Sequence, residues 1–495
     1  MTTRIPFSAK ALSAGLLVSQ GVFFLLMLRS NFIVHANLEA FINAGYLTIP
    51  NALVMPELTR LPAAFYGALF FTFTIGAGLC LATMGLAWIY RRVFKASRWF
   101  LIITICIWLL LTIAVNIDGF SLSITAALII IPPFVFFFVN TRMPVETGSH
   151  NRLGAALQVI VIVLIAVAWL PKTDNDVFID IRDHILLTNP AGKAINHFYY
   201  QYTLYPAKIL KTPAQKLMAS ACLDGIEDQT LKSEITPLLI ARDYLPINDH
   251  GHCDLFISQE GSNLHFSVSG KTVLETTRTS FLAAPGRVLQ EFSERSDSQS
   301  HFRTMTFFSL FTALPLSLFI LVHGFFAILL FMIRKDFTRH AIASLLCLGI
   351  GVGTVFPLYF TSDNTMDSPA EIQAGLSSND WREQRNALKA VLHASMDPLQ
   401  FDIDERIASS QYIPVRYWFA SALGNSRKPG AYDRMKRMLD DPHPNVVCMA
   451  YLAIGRSGRT QAIDEIKNRI ATSNHWYTQW YAYRSLRQLG WTQQQ

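Results

Sequence analysis

The chain is 495 residues long, with hydrophobic residues at 51%, charged residues at 16% and a formal charge of +7. Such a composition fits a polytopic membrane protein that carries soluble parts better than an ordinary soluble enzyme. The positive charge is not a nucleic-acid signature. Arginines and lysines between the apolar runs outnumber the acids there, which leaves the two soluble segments together close to neutral and without a phosphate-binding surface.

Seven apolar runs, at 11–28, 61–90, 99–114, 121–139, 155–170, 306–333 and 341–360, approach or exceed the ~20 residues that a helix needs to cross a bilayer. None has an Asp, Glu, Lys or Arg in its middle. The first run follows Arg4 and Lys10 and precedes Val34-His35-Ala36, which resembles a signal peptide and its cleavage site. It is longer than a usual signal h-region of about 7–15 residues, so an uncleaved helix is expected. The second run carries Ala64, Gly67, Ala68, Gly78, Ala82 and Gly85, and the last carries Gly349, Gly351 and Gly353. Small residues at this spacing let helices approach closely in lipid, with a flexible gate as the alternative reading. Pro132-Pro133 is expected to kink or break the fourth helix. His323 lies deep in the sixth run without a carboxylate partner, as expected of a packing residue rather than of a proton relay.

The basic loops give a topology. Arg4 and Lys10, then Arg91, Arg92, Lys95 and Arg98, then Arg142 and Arg152, then Arg334, Lys335 and Arg339 all share one side. The positive-inside rule makes that side cytoplasmic. The expected location is therefore the cell inner membrane, multi-pass, with a cytoplasmic N-terminus and both soluble segments on the periplasmic side. The expected division is a five-helix transmembrane region at 1–171, an extracytoplasmic α+β domain at 172–303, two transmembrane helices at 304–361 and a repeat domain at 362–495.

The first soluble segment begins with a helical stretch rich in aromatics: Phe198, Tyr199, Tyr200, Tyr202 and Tyr205. Tyrosine concentrates at membrane–water boundaries, so this stretch is expected to lie on the bilayer or on the helical bundle. A sugar or lipid-headgroup site built on the rings is the sharper alternative. Three short runs at 254–258, 263–269 and 271–276 alternate between turn residues, as in a small antiparallel meander. Cys222 and Cys253 are the only cysteines in this segment, and in an oxidising compartment a disulfide between them is expected. His250-Gly251-His252-Cys253-Asp254 groups metal-ligand types, but no second cluster stands at matching spacing and no metal or cofactor is expected.

The C-terminal segment contains an internal repeat of thirty-one positions. VRYWFASALGNSRKPGAYDRMKRML at 415–439 aligns with VVCMAYLAIGRSGRTQAIDEIKNRI at 446–470, matching Leu423 with Ile454, Gly424 with Gly455 and Ala431 with Ala462. Met435 matches Ile466 and Leu439 matches Ile470, with degenerate copies at 381–392 and 476–490. Each unit is expected to be two amphipathic helices around a Gly-x-Ser turn. This pattern resembles the short HEAT-like repeats of the phycobilin-lyase type, over about the last quarter of the chain. The resemblance implies a helical stack that binds macromolecules, and it carries over no catalytic residue. In the last unit Trp476, Tyr477, Trp480, Tyr481, Tyr483, Arg484 and Arg487 crowd together. A partner surface made by part of this set is one expectation, and a capping helix docked inside the molecule is the other.

The fold class expected is thus a mainly α membrane protein: seven transmembrane helices, an inserted α+β domain and a C-terminal α-solenoid of HEAT-like repeats. No catalytic or phosphate-loop motif stands in a fitting context. The leading expectation is a membrane scaffold or assembly factor that contacts membrane lipid and other membrane or envelope proteins. A transporter or channel component moving a lipid, glycan or small solute is the alternative, and a membrane enzyme acting on a lipid-linked substrate comes third.

Overall fold

The computed structural model describes residues 6–117, 119–143, 150–173, 176–203, 211–248, 253–333, 335–359, 366–403 and 405–493. The apolar part opens with α1 (Phe7–Asn43), whose 37 residues make a rod of roughly 55 Å, longer than a bilayer core is thick. It therefore extends well past the apolar run at 11–28. The second run forms α2 (Leu61–Phe71) and α3 (Ala77–Arg92), joined without a break by a π-helical turn at Thr72–Gly76. Gln20 of α1 is tied to this region, accepting from Thr72 Oγ1 at 2.7 Å and donating to Phe65 O at 2.8 Å. Of the small residues read from sequence, Gly78 lies against Ser309 and Gly351 against Ile165, whereas a methyl on Gly85, Gly349 or Gly353 would meet nothing within 4 Å. A methyl group placed on Gly15 of α1 would come within 2.6 Å of Cys80 Sγ, so the side chain of Cys80 on α3 packs directly on the α1 backbone there.

Next come α4 (Arg98–Ala114) and α5 (Leu122–Arg142). Of the kink or break expected from Pro132-Pro133, the break does not occur, and α5 runs on through both prolines. The N–H that Pro132 lacks would have gone to Leu128 O, and the indole of Trp108 on α4 donates to that carbonyl at 3.1 Å instead. α6 (His150–Trp169) then leads out of the bundle. Among the described residues, five helical segments are long and apolar enough to cross a membrane, six if a later bent pair counts as one, and α4 with 17 residues is shorter.

The chain continues through α7 (Val177–Ile181), a π-helical turn at Arg182–Leu186 and α8 (Pro190–Phe198). Asn189 starts α8 by accepting from Gly192 N at 2.8 Å. A five-stranded sheet follows, in the order β2-β1-β3-β4-β5. The three runs read from sequence are its antiparallel part: β3 (Leu255–Glu260), β4 (Asn263–Val268) and β5 (Lys271–Thr277). Two parallel strands precede them, β1 (Ala219–Gly225) and β2 (Tyr244–Pro246), linked by α9 (Gln229–Ile240). One sheet face buries Leu255, Leu264 and Phe266 against α9, α10 (Arg278–Ala283) and α11 (Pro285–Arg295).

α12 (Ser300–Phe311) and α13 (Ala313–Leu329) form the bent pair, turning by 45° at Thr312, and α14 (Asp336–Tyr359) closes the bundle. His323 on α13 meets Gln158 of α6 at 3.2 Å and stacks on His340 of α14, with ring centroids 5.3 Å apart. It bridges three helices.

The remaining chain is a double layer of helices. An outer row consists of α15 (Pro369–Ser377), α17 (Glu405–Ala408), α19 (Pro429–Met438) and α21 (Ile463–Thr472). The inner row consists of α16 (Trp381–His393), α18 (Ile413–Leu423), α20 (Pro444–Ser457) and α22 (Trp476–Gln488). Every residue matched between the two sequence repeats is buried. In the first unit Gly424 opens the turn after α18, as expected, while in the second Gly455 stays inside α20; in both the glycine is also a packing contact. A methyl on Gly424 would lie 3.0 Å from Ala453 Cα, and one on Gly455 3.1 Å from Ser485 Cα, so each lets the next inner helix approach. The turn after α20 falls at Gly458, whose φ of 71° suits glycine.

Candidate functional site: an ionic joint, a docked last repeat and a cavity

The inner row of the stack faces the rest of the chain. Asp183, on the π-helical turn after α7, is fully shielded from solvent. It accepts from Arg385 Nε at 3.1 Å, Trp418 Nε1 at 2.7 Å and Arg182 Nε at 2.8 Å. Arg385, 1% exposed, also donates to Asp180 Oδ1 at 2.6 Å and Asn386 Oδ1 at 3.0 Å. The Arg182 guanidinium lies 3.8 Å from the centre of the Tyr417 ring. At the edge, Lys389 pairs with Asp176 and holds that carboxyl below its usual range. His184 packs on Trp381, and burial together with the nearby Arg385 charge pushes its pKa down to about 4. Asp176, Asp180 and Asp183 fall on one face because helical spacing of three and four repeats there. Arg385 and Lys389 stand one turn apart on α16 for the same reason.

The last repeat is docked at two further places. Asn51, in the connection between α1 and α2, donates its amide to Ile470 O at 2.7 Å, Ala471 O at 3.1 Å and Ser473 O at 3.0 Å. These carbonyls end α21 and have no partner inside their helix. The backbone N–H of Asn51 donates to Gln479 Oε1 at 2.9 Å, and Gln493 bonds both N–H and C=O of Leu47. On the other flank Asp243 accepts from Tyr483 Oη at 2.6 Å and Arg487 Nε at 3.1 Å, and Arg487 Nη2 reaches Ala241 O at 2.6 Å. Burial holds the Asp243 carboxyl above its ordinary range.

These contacts locate the aromatic sets singled out in the sequence. Phe198 meets Tyr66 of α2 edge-on and Tyr202 lies tilted against it, while Tyr200 meets Tyr477 at 4.4 Å between ring centres. Tyr199 packs edge-on against Tyr200, and Tyr205 lies outside the described residues. In α22, Tyr477 and Tyr481 share a hydroxyl bond of 3.1 Å, and Arg487 is paired as above. Trp480 lies between Lys211 and Arg484, and Arg484 is exposed. Trp476 packs edge-on against Tyr477. Much of this set faces the chain itself, because a terminal helix with so much apolar surface must cover it. Cys222 and Cys253 are bonded to each other, with Cα atoms 5.9 Å apart. His250 and His252 lie outside the described residues, and no group of three or more metal-ligand side chains occurs among the described ones.

Sequence reading missed the joint. Its signal was present as Asp180-Ile181-Arg182-Asp183-His184, a charged run too dense for a helix resting on lipid. What could not be read was that Arg385, some two hundred residues away, meets it.

Beside the disulfide lies a cavity of about 1050 Å³, bounded by the second half of α1, the start of α5 and the free face of β1, β3 and β4. Lys216 lines it and pairs with Asp254 at 2.6 Å. Arg29 and Lys211 also line it.

Compared with known protein families, residues 405–487 match HEAT repeats. No curated protein matches the chain, and neither does any solved structure.

Proposed function

We propose that this chain, whose C-terminal part is a stack of HEAT repeats, is a multi-pass membrane scaffold or assembly factor that holds a protein-binding platform against the outer face of the membrane. In this reading the five long apolar segments, the bent pair α12–α13 and the shorter α4 make seven crossings. The bias of lysine and arginine supports a cytoplasmic N-terminus.

One observation carries the sidedness without any loop count. Leu38 and Phe41, at the far end of α1, share a core with Trp418, Ala450 and Leu486 of the repeats. If α1 crosses the bilayer, the repeats lie on the side opposite the N-terminus. The inner row is engaged by residues of the chain itself, which supports a platform on the outer row. There Asp433, Arg437, Lys467 and Asn468 stand exposed on α19 and α21. HEAT stacks bind macromolecules over extended surfaces of this kind.

Reporter fusions test the sidedness. A fusion after Gln495 is expected to be active only with a reporter that works outside the cytoplasm, and one after Lys95 only with a cytoplasmic reporter. Cytoplasmic activity at Gln495 would overturn the proposal.

A further inference from the structure

The cavity beside the disulfide is separate from the joint of Asp183 and Arg385, neither of which lines it. At about 1050 Å³ it is at the upper end of the range for ligand sites. Its lining changes character along its length. Leu26 of α1 and Leu122 of α5 belong to the apolar bundle, and Arg29 is the first charge after the α1 run. Beyond it stand Lys211 and the Lys216–Asp254 pair, and Phe41 and Phe256 complete the apolar side.

Two cations here have no carboxylate partner among the described residues: Arg29, which is exposed, and Lys211, which is half-buried. Burial and the charge of Arg484 hold the Lys211 ammonium below its usual pKa, as expected of a cation lacking a counter-ion. Asn37 Oδ1, on the same wall, is shielded from solvent and accepts no hydrogen bond from the described residues. A buried acceptor left open in this way costs free energy unless a donor is supplied. The lining therefore asks for an anion near Arg29 and Lys211, a hydroxyl or amine donor near Asn37, and an apolar body lying toward the bundle.

We infer that this cavity is a glycerophospholipid site: the phosphodiester sits between Arg29 and Lys211, a headgroup hydroxyl or amine donates to Asn37, and the acyl chains leave past Leu26 and Leu122 into the bilayer. This rests on the membrane reading proposed above. The site would couple the soluble part to the lipid around α1, since it lies where α1 leaves the apolar bundle.

The test uses the full-length protein extracted in mild detergent and analysed by native mass spectrometry after incubation with dioleoyl phosphatidylglycerol. One lipid is expected to be retained per chain. The combined substitution Arg29→Gln and Lys211→Gln should weaken retention tenfold or more, and Ile33→Trp, which fills the cavity from α1, should do the same while leaving both charges. Inorganic phosphate at millimolar concentration should not displace the lipid; displacement would overturn the role given to the acyl chains. Equal retention by the parent and both variants would overturn the site. Resistance of the protein to alkaline carbonate extraction is measured alongside: if the chain is released into solution, the membrane reading itself fails, a result distinct from failure of the site.

Discussion

Replacing Arg385 by Met is expected to destabilise the folded protein by up to about 3–5 kcal/mol, because the buried Asp183 loses one of its two cationic partners and keeps Arg182, while Asp180 loses the same guanidinium. The thermal midpoint in detergent should fall, and limited proteolysis should begin cutting between the bundle and the repeats. Asp183→Asn tests the same joint from the other side, since the neutral amide keeps the shape but leaves Arg385 with only Asp180 as a charged partner. Arg434→Met is the control. Arg434 stands 3.8 Å from the largely exposed Glu405, and a surface pair of that kind is worth ~0–1 kcal/mol. The joint also has a pH signature. Burial, first of all, holds His184 near pKa 4, below the ~6.5 of an unfolded chain. Between those values the unfolded state binds protons that the folded state excludes. Stability is therefore full above about pH 6.5 and declines as pH falls toward 4. Asp176, held low by Lys389, adds to the loss further down, since its contribution disappears as pH falls through its folded pKa. A midpoint that rose on acidification would contradict this account of the joint.

Removing the disulfide has the second large effect. Cys222 and Cys253 are 31 residues apart, and on the chain-entropy model a closed loop of that size stabilises by about 3–4 kcal/mol. Substituting both with Ala should lower the thermal midpoint of the unreduced protein. It should also abolish the mobility difference between reduced and unreduced samples. Because the pair joins β1 to the start of the antiparallel strands and lines the cavity, the loss should appear first as faster hydrogen exchange in β1 and β3. If the Ala variant and the reduced parent were as stable as the oxidised parent, the bond would not be holding this domain.

Local patterns were legible where a single period dominates. The apolar runs, the alternation in β3 to β5 and the thirty-one-residue repeat each follow from one recurring side-chain face. β1 and β2 escaped notice because Ala219-Ser220-Ala221-Cys222 has none of the branched or aromatic residues that mark a strand, and parallel partners give no hairpin signal. The π-helical turns at Thr72–Gly76 and Arg182–Leu186 have no period of their own to detect. That Pro132-Pro133 does not break α5 was not legible for a different reason, since the substitute donor, Trp108, sits on another helix. The largest omission is tertiary. Whether the aromatic face of α22 is open or docked depends on Asp243 and Tyr200, which composition cannot pair with it.

In the proposed function the outer row of HEAT repeats is a platform for a protein partner, while the inner row is committed to the chain itself. Site-specific photo-crosslinking in living cells tests it most directly. A photoreactive residue placed at Arg437 on α19 or at Lys467 on α21 should give a discrete adduct with another protein. The same residue placed at Tyr417, on the inner row, should give only intramolecular products. Adducts with another protein at Tyr417 and none at Arg437 or Lys467 would contradict the account.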